Sequence, residues 1–156
     1  VIENRREESL ILRLIALGEG LKRRRDKICQ ELGVSSHQWL ILLYLAKDPN
    51  LPFYANSKQK KPVLPSELAK SLAVSRPNIA KFLTILSEKG LIRQVDDNLD
   101  RRRKRLELSE AGLALVASLQ PMRELLNHQL FEHFEGKELD TVLIFLNKCL
   151  NRLETF

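Results

Sequence analysis

Between residues 64 and 112 the chain sets helix and strand signals in an order that few folds accept. Pro65 suits the first position of a helix, where its missing N–H is one that the first turn leaves unpaired anyway. Ser66-Glu67-Leu68-Ala69-Lys70-Ser71-Leu72 then puts Leu68, Ala69 and Leu72 on one face, and Ala73-Val74 makes a turn. Ser75 caps a second helix, with Pro77 tolerated in its first turn, Ile79, Leu83 and Leu86 as its inward stripe, and Lys89-Gly90 as its end. Two apolar segments follow, at 91–95 and 106–108, and they bracket Asp96-Asp97-Asn98-Leu99-Asp100-Arg101-Arg102-Arg103-Lys104-Arg105. Ser109 opens the next helix. Two short helices and a hairpin in this order predict a helix-turn-helix with a two-stranded wing, and they put five consecutive cations on the hairpin tip.

A basic run by itself is most often a solvated face. Here the charge is concentrated where the fold pattern is. From Asn56 to Arg105 there are 13 Lys and Arg against 5 Asp and Glu, so a chain of net charge +6 carries +8 in this segment and −2 elsewhere. That distribution points to a polyanion as the partner of one region.

The flanks predict helices. From about Asn4 to Leu32, Ile11, Leu14, Ile15, Leu21, Ile28 and Leu32 recur at helical spacing, and Gly33 is the stop; Gly18 and Gly20 weaken the middle by about 1 kcal/mol each relative to Ala. Ser35 and Gln38 have capping-box spacing at the start of a leucine-rich, buried helix that reaches Ala46. Lys47 to Val63 is a long basic loop containing Lys58, Lys60 and Lys61. After Ser109, Leu113, Leu115, Val116 and Leu119 continue a helix that Pro121 kinks or restarts, and Leu125, Leu126, Leu130 and Phe131 carry the stripe on to Gly136. A last helix sets Leu139, Val142, Leu143, Leu146, Leu150 and Leu153 on one face. So many apolar residues at both ends exceed what a monomer core of 156 residues needs, and burial against a second copy accounts for them.

Five short motifs carry a resemblance to a known family. They are Leu64-Pro65-Ser66-Glu67-Leu68-Ala69, Val74-Ser75-Arg76-Pro77-Asn78-Ile79, Leu86-Ser87-Glu88-Lys89-Gly90-Leu91-Ile92, the spaced set Asp97, Asp100, Arg101 and Arg102, and Leu108-Ser109-Glu110-Ala111-Gly112. In this order the chain resembles the multiple antibiotic resistance regulator (MarR) family of bacterial winged-helix transcription factors. The resemblance implies a mainly α fold with a small β wing, a single domain over 1–156, in which 35–112 is the winged helix-turn-helix and 1–34 and 113–156 are N- and C-terminal dimerisation helices. It also implies a homodimer on a pseudo-palindromic operator in double-stranded DNA, acting as a repressor that a small aromatic or anionic effector releases. Two departures stand out: Leu64 occupies a position where the family has a capping Thr or Ser, and the loop before Pro65 is long.

A recognition helix enters the major groove by its N-terminal half, which assigns Ser75, Arg76, Pro77, Asn78 and Lys81 to DNA. Arg76 suits guanine and Asn78 adenine; for Arg76 and Lys81 a phosphate contact is an equal reading, and for Ser75 a helix cap is the stronger one. In the wing, the resemblance makes Arg102 the minor-groove probe, with Asp100 orienting it and Arg101 nearby, while Arg103 and Arg105 contact phosphates. For the effector, the resemblance puts forward Arg13, His37, Trp39 and Tyr44, although core packing is the stronger reading of Trp39 and Tyr44.

Some family members sense peroxides through a cysteine near the first helix, which puts Cys29 forward as a thiol switch; a buried, inert thiol is the simpler reading of both Cys29 and Cys149. Two cysteines make no disulfide framework, no apolar run approaches the about 18 residues of a membrane span, and no signal-peptide pattern opens the chain at Val1, so a cytoplasmic protein without cofactor or membrane contact is expected. His128 with Glu132, and His133 beside it, lack the spacing of a metal site. An enzyme is not expected, for want of a phosphate loop, nucleophile elbow or acid–base constellation. The competing class is a winged-helix protein-interaction module that does not bind DNA.

Overall fold

The computed structural model describes residues 1–52, 63–100 and 102–155. Their elements, in chain order, are α1 (Arg6–Glu31), α2 (Ser36–Leu45), α3 (Pro65–Ser71), α4 (Arg76–Glu88), β1 (Ile92–Asp96), β2 (Lys104–Leu108), α5 (Glu110–Phe131) and α6 (Gly136–Leu153). The protein is mainly α with a two-stranded antiparallel wing.

The helix boundaries follow from local chemistry. Ser35 and Gln38 close both hydrogen bonds of a capping box, the Ser35 hydroxyl accepting from the Gln38 N–H and the Gln38 side chain accepting from the Ser35 N–H. Gly33 at φ 72° and Gly90 at φ 70° end α1 and α4 in the left-handed conformation that favours glycine. Leu64, where a polar cap was wanting, gives α3 no side-chain cap.

β1 and β2 pair from Ile92 opposite Leu108 to Asp96 opposite Lys104. Three expectations change. The basic run does not all lie on the tip, because Lys104 and Arg105 are already in β2. Val63 is not loop: it bridges to Leu106, whose N–H it accepts at 3.1 Å. Pro121 does not restart the helix, since α5 runs through it. Pro121 removes one donor, and the carbonyl thereby freed belongs to exposed Ala117, within reach of water. The Lys58, Lys60 and Lys61 segment lies outside the described residues.

The core lies beneath the helix-turn-helix. Ile41 and Leu42 of α2, Leu68 of α3, Ile79, Leu83 and Leu86 of α4, Ile92 and Leu106 of the wing, and Cys29 and Val34 at the end of α1 form one buried cluster. By contrast α1, α5 and α6, of 26, 22 and 18 residues, bury among them Cys29, Gly112 and Leu119 alone. Their apolar faces lie open in the single chain, with Ile15 56 % exposed and Leu143 58 %. Burying a Leu or Ile stabilises by about 1.5–3 kcal/mol, so a face of this length is a large unspent driving force for association.

Candidate nucleic-acid interface

Helix α4 has two faces of opposite character. Ile79, Leu83 and Leu86 are buried against the core, Pro77, Asn78 and Lys81 are exposed on the face turned away from them, and Arg76 is exposed at the helix start, beside the edge of the buried stripe. Ser75 serves as the cap, its hydroxyl accepting from the Asn78 N–H at 3.3 Å. The cap engages only the main chain of Asn78, and its exposed side-chain amide retains two donors and an acceptor. Phe82 packs against the core rather than facing outward.

Opposite this face stands the wing. A cleft of about 940 Å³ separates the two, with Arg76, Ala80 and Thr84 of α4 on one wall and Gln94, Arg103 and Lys104 of the wing on the other. Three cations therefore share a groove floored by Ile79 and Leu83.

The tip is shaped by two aspartates. Asp97, 8 % exposed, accepts from the Leu99 N–H through its carboxylate at 3.2 Å, while its own N–H donates to the Arg103 carbonyl at 3.1 Å. Asp100 accepts the Arg102 N–H at 2.9 Å and lies 3.9 Å from the Arg103 guanidinium. The charged contact of Asp100 is thus with Arg103, and Arg102 is held through its main chain, leaving its side chain exposed. This differs from the expectation that Asp100 aims the Arg102 guanidinium. Arg101 lies outside the described residues.

Arg105 is placed apart from the other cations. Alternation along β2 turns it away from Lys104. Its guanidinium is 3.2 Å from Glu107, its Nε is buried without a partner, and it lines a hollow with Leu45, Lys47 and Val63.

At the wing's base, the Ser109 N–H donates to the Leu91 carbonyl at 3.0 Å, its hydroxyl donates to the Gly90 carbonyl, and the same hydroxyl accepts from Gly112 at 3.1 Å. Gly112 is required here: a Cβ would lie 2.1 Å from the Leu91 carbonyl oxygen. Neither this role nor that of Asp97 is readable from residue type, because both depend on a tertiary approach.

A second hollow, of about 250 Å³, lies between α1, α2 and α5, lined by Arg24, Arg25, Cys29, Trp39, Leu119 and Arg123 among others. The guanidinium carbons of Arg25 and Arg123 sit 5.4 and 5.3 Å from the centroid of the Trp39 ring, whose N–H is buried without a partner. Arg123 also pairs with Asp48 at 3.0 Å, and Arg25 donates to the Ser36 hydroxyl. Burial pushes the Asp48 carboxyl up, but hydrogen bonds from Asn50 and Arg123 outweigh it and hold the group below its ordinary value.

Of the four effector residues expected, only Trp39 lines this hollow. Arg13 is exposed on α1 and donates to the Ser9 carbonyl; His37 stacks on Phe82; half-buried Tyr44 packs against the core, its phenol raised by burial and lowered in part by a hydrogen bond with Ser71. Arg25 and Arg123 were missed because they lie 14 and 84 positions from Trp39 in the sequence, and a Trp does not announce its cation partners. Cys29 is 1 % exposed, and burial pushes its thiol up against the partial pull of Arg25. A raised thiol has little thiolate, the reactive form. Among the described residues no group of three potential metal ligands occurs, and no helix is long and apolar enough to cross a membrane.

A helix pair whose second helix presents its N-terminal half to solvent beside a basic hairpin defines a winged helix-turn-helix protein. Residues 32–103 match the sequence profile of the MarR family. The matched segment holds the helix-turn-helix and most of the wing, and in it the chain is similar to the MarR family of transcriptional regulators. The chain is 26 % identical over 149 residues to the transcriptional repressor MprA of Escherichia coli K12, a match covering 95 % of this chain and 79 % of that protein. Among solved structures, a MarR/EmrR family transcriptional regulator from Acinetobacter sp. ADP1 shares the fold at TM-score 0.78 and 19 % identity, covering 98 % of this chain and 100 % of that one. MepR of S. aureus, solved as a DNA complex, does so at TM-score 0.71 and 24 % identity, covering 93 % and 95 %.

Proposed function

We propose that this protein binds double-stranded DNA in a sequence-specific manner as a homodimer on a pseudo-palindromic operator, and represses until a small effector releases it. The observation that carries this reading is the shared cleft: α4 presents Arg76 to the same groove as Arg103 and Lys104 of the wing, with Asn78 and Lys81 exposed on the helix and Arg102 exposed at the tip. In it α4 enters the major groove, where Arg76 and Asn78 meet base edges, and the wing follows the backbone, with Arg102 reaching the minor groove. Support comes from MepR, which shares the fold and was solved bound to DNA, and from MprA, a repressor.

The homodimer reading rests on the open apolar faces of α1, α5 and α6, within the arms 1–34 and 113–156 that flank the DNA-binding segment 35–112. Two winged units related by a two-fold axis read a two-fold operator. The hollow around Trp39 is the effector site of this reading, because it lies between arm helices and α2, and the guanidinia of Arg24, Arg25 and Arg123 that line it favour an anion. An effector acts by binding more tightly to an arrangement of the two recognition helices that does not fit the operator.

The test is selection of bound duplexes from a random pool by the full chain, followed by footprinting. Two protected half-sites about one helical turn apart support the reading; recovery of no preferred sequence, or of a single unpaired half-site, overturns it.

A further inference from the structure

We propose that the corner between α1 and α2, residues 33–37, sets the pose of the recognition helix, and that His37 and Lys89 are the positioning residues through which it does so. The inference rests on the DNA-binding reading and adds residues outside the groove-facing set.

Helix α4 is gripped by this corner at two points. The imidazole of His37 stacks on Phe82 with ring centroids 5.3 Å apart and planes inclined by 12°. Lys89, at the end of α4, donates from its Nζ to the carbonyl of Gly33. Positions 82 and 89 are seven apart, two helical turns, and therefore share one face of α4. Their partners lie four residues apart in the corner.

The buried stripe of Ile79, Leu83 and Leu86 holds α4 on the body, but hydrophobic contact is non-directional and resists rolling of a helix only weakly. A parallel ring stack and a charge-assisted hydrogen bond are directional, and together they fix roll and tilt. Base edges are read only within narrow tolerances of angle, whereas phosphate attraction is not.

The corner is in turn tied to the arms. Ser36, next to His37, accepts a hydrogen bond from Arg25 of α1, and Trp39, on the next turn of the helix, lies between Arg25 and Arg123 of α5. A movement of α1 against α5 thus reaches α4 through residues 36 and 37.

The experiment compares affinity for a duplex selected by the wild-type chain with affinity for a random-sequence duplex at one salt concentration. His37→Ala is expected to weaken the selected duplex by about three- to tenfold, the scale of one aromatic pair, with the random duplex unchanged. Lys89→Met is expected to act in the same selective way. His37→Phe, which keeps a ring against Phe82, restores affinity, and His37→Ala combined with Phe82→Ala loses no more than the larger single loss. Thermal melting of each variant reports folding separately. Equal losses on both duplexes, no loss on either, or a His37→Phe variant as weak as His37→Ala overturns the proposal. A wild-type chain that does not distinguish the two duplexes overturns the DNA-binding reading itself, and this one with it.

Discussion

Gly112→Ala puts one methyl group where the wing joins α5. The added Cβ would meet the Leu91 carbonyl oxygen at 2.1 Å and Leu108 Cδ2 at 3.1 Å. Ordinary C···O approach is about 3.3 Å, so the carbonyl has to retreat by roughly an ångström. That carbonyl accepts from the Ser109 N–H at 3.0 Å, so retreat also breaks the bond that fastens β1 to the start of α5. Overpacking costs about 1–3 kcal/mol and the lost hydrogen bond about 1 kcal/mol, against a helix-propensity gain of about 1 kcal/mol. A net loss of about 1–3 kcal/mol lowers Tm by roughly 2–12 °C for a chain of this length. Far-ultraviolet circular dichroism at fixed protein concentration measures it, since the proposed dimer would make Tm concentration-dependent. Gly18→Ala is the control: nothing lies within 4 Å of its added Cβ, so it is expected to hold or raise Tm. A Gly112→Ala protein melting at or above wild type would refute the close approach.

Other outcomes follow from the same geometry. Arg102→Ala is expected to weaken binding most at A·T-rich flanks, whereas Asn78→Ala shifts preference at one major-groove position by a discrimination of about 1–3 kcal/mol; base-by-base affinity measurements separate the two. Leu143→Glu on the open face of α6 is expected to shift the chain toward monomer in light scattering, while the same change at solvated Leu99 of the wing leaves the mass unchanged. Asp48 has a folded pKa below the ordinary value of 3.8, so its contribution to stability is complete above that pH and lost as pH falls through the folded value. Asp48→Asn is accordingly expected to be less stable than wild type at neutral pH and to approach it below about pH 4, as denaturant titrations at several pH values will read.

Where sequence and structure agree, the reason is local. The Ser35–Gln38 capping box, the caps at Ser75 and Ser109, Pro65 at a helix start and the stops at Gly33 and Gly90 each concern residues within one turn of each other. The buried stripe of α4 follows from period alone, and its outer face follows by subtraction. What residue type did not disclose depends on contacts distant in the chain. Lys104 and Arg105 read as tip residues because charge suggests a turn, yet pairing with Asp96 and Val95 draws them into β2. His37 read as an effector residue, but its neighbour is Phe82, 45 positions away. Arg123 carried no signal, since Asp48 and Trp39 meet it only after α5 packs on α2. Pro121 suggested a break that an exposed helix face does not need.

The central claim is that α4 and the wing together hold a DNA backbone and read its sequence. Affinity of the wild-type chain for its selected duplex, measured from low to moderate salt, tests it most directly. Arg76, Lys81, Arg102, Arg103 and Lys104 are exposed on each protomer. If Lys81, Arg103 and Lys104 of each protomer, six cations in the proposed dimer, meet phosphates, the slope of log K against log salt is about −5, and Arg103→Ala in both protomers reduces its magnitude by up to about 2. A slope near zero, or one that Arg102→Ala and Arg103→Ala together leave unchanged, would contradict the account.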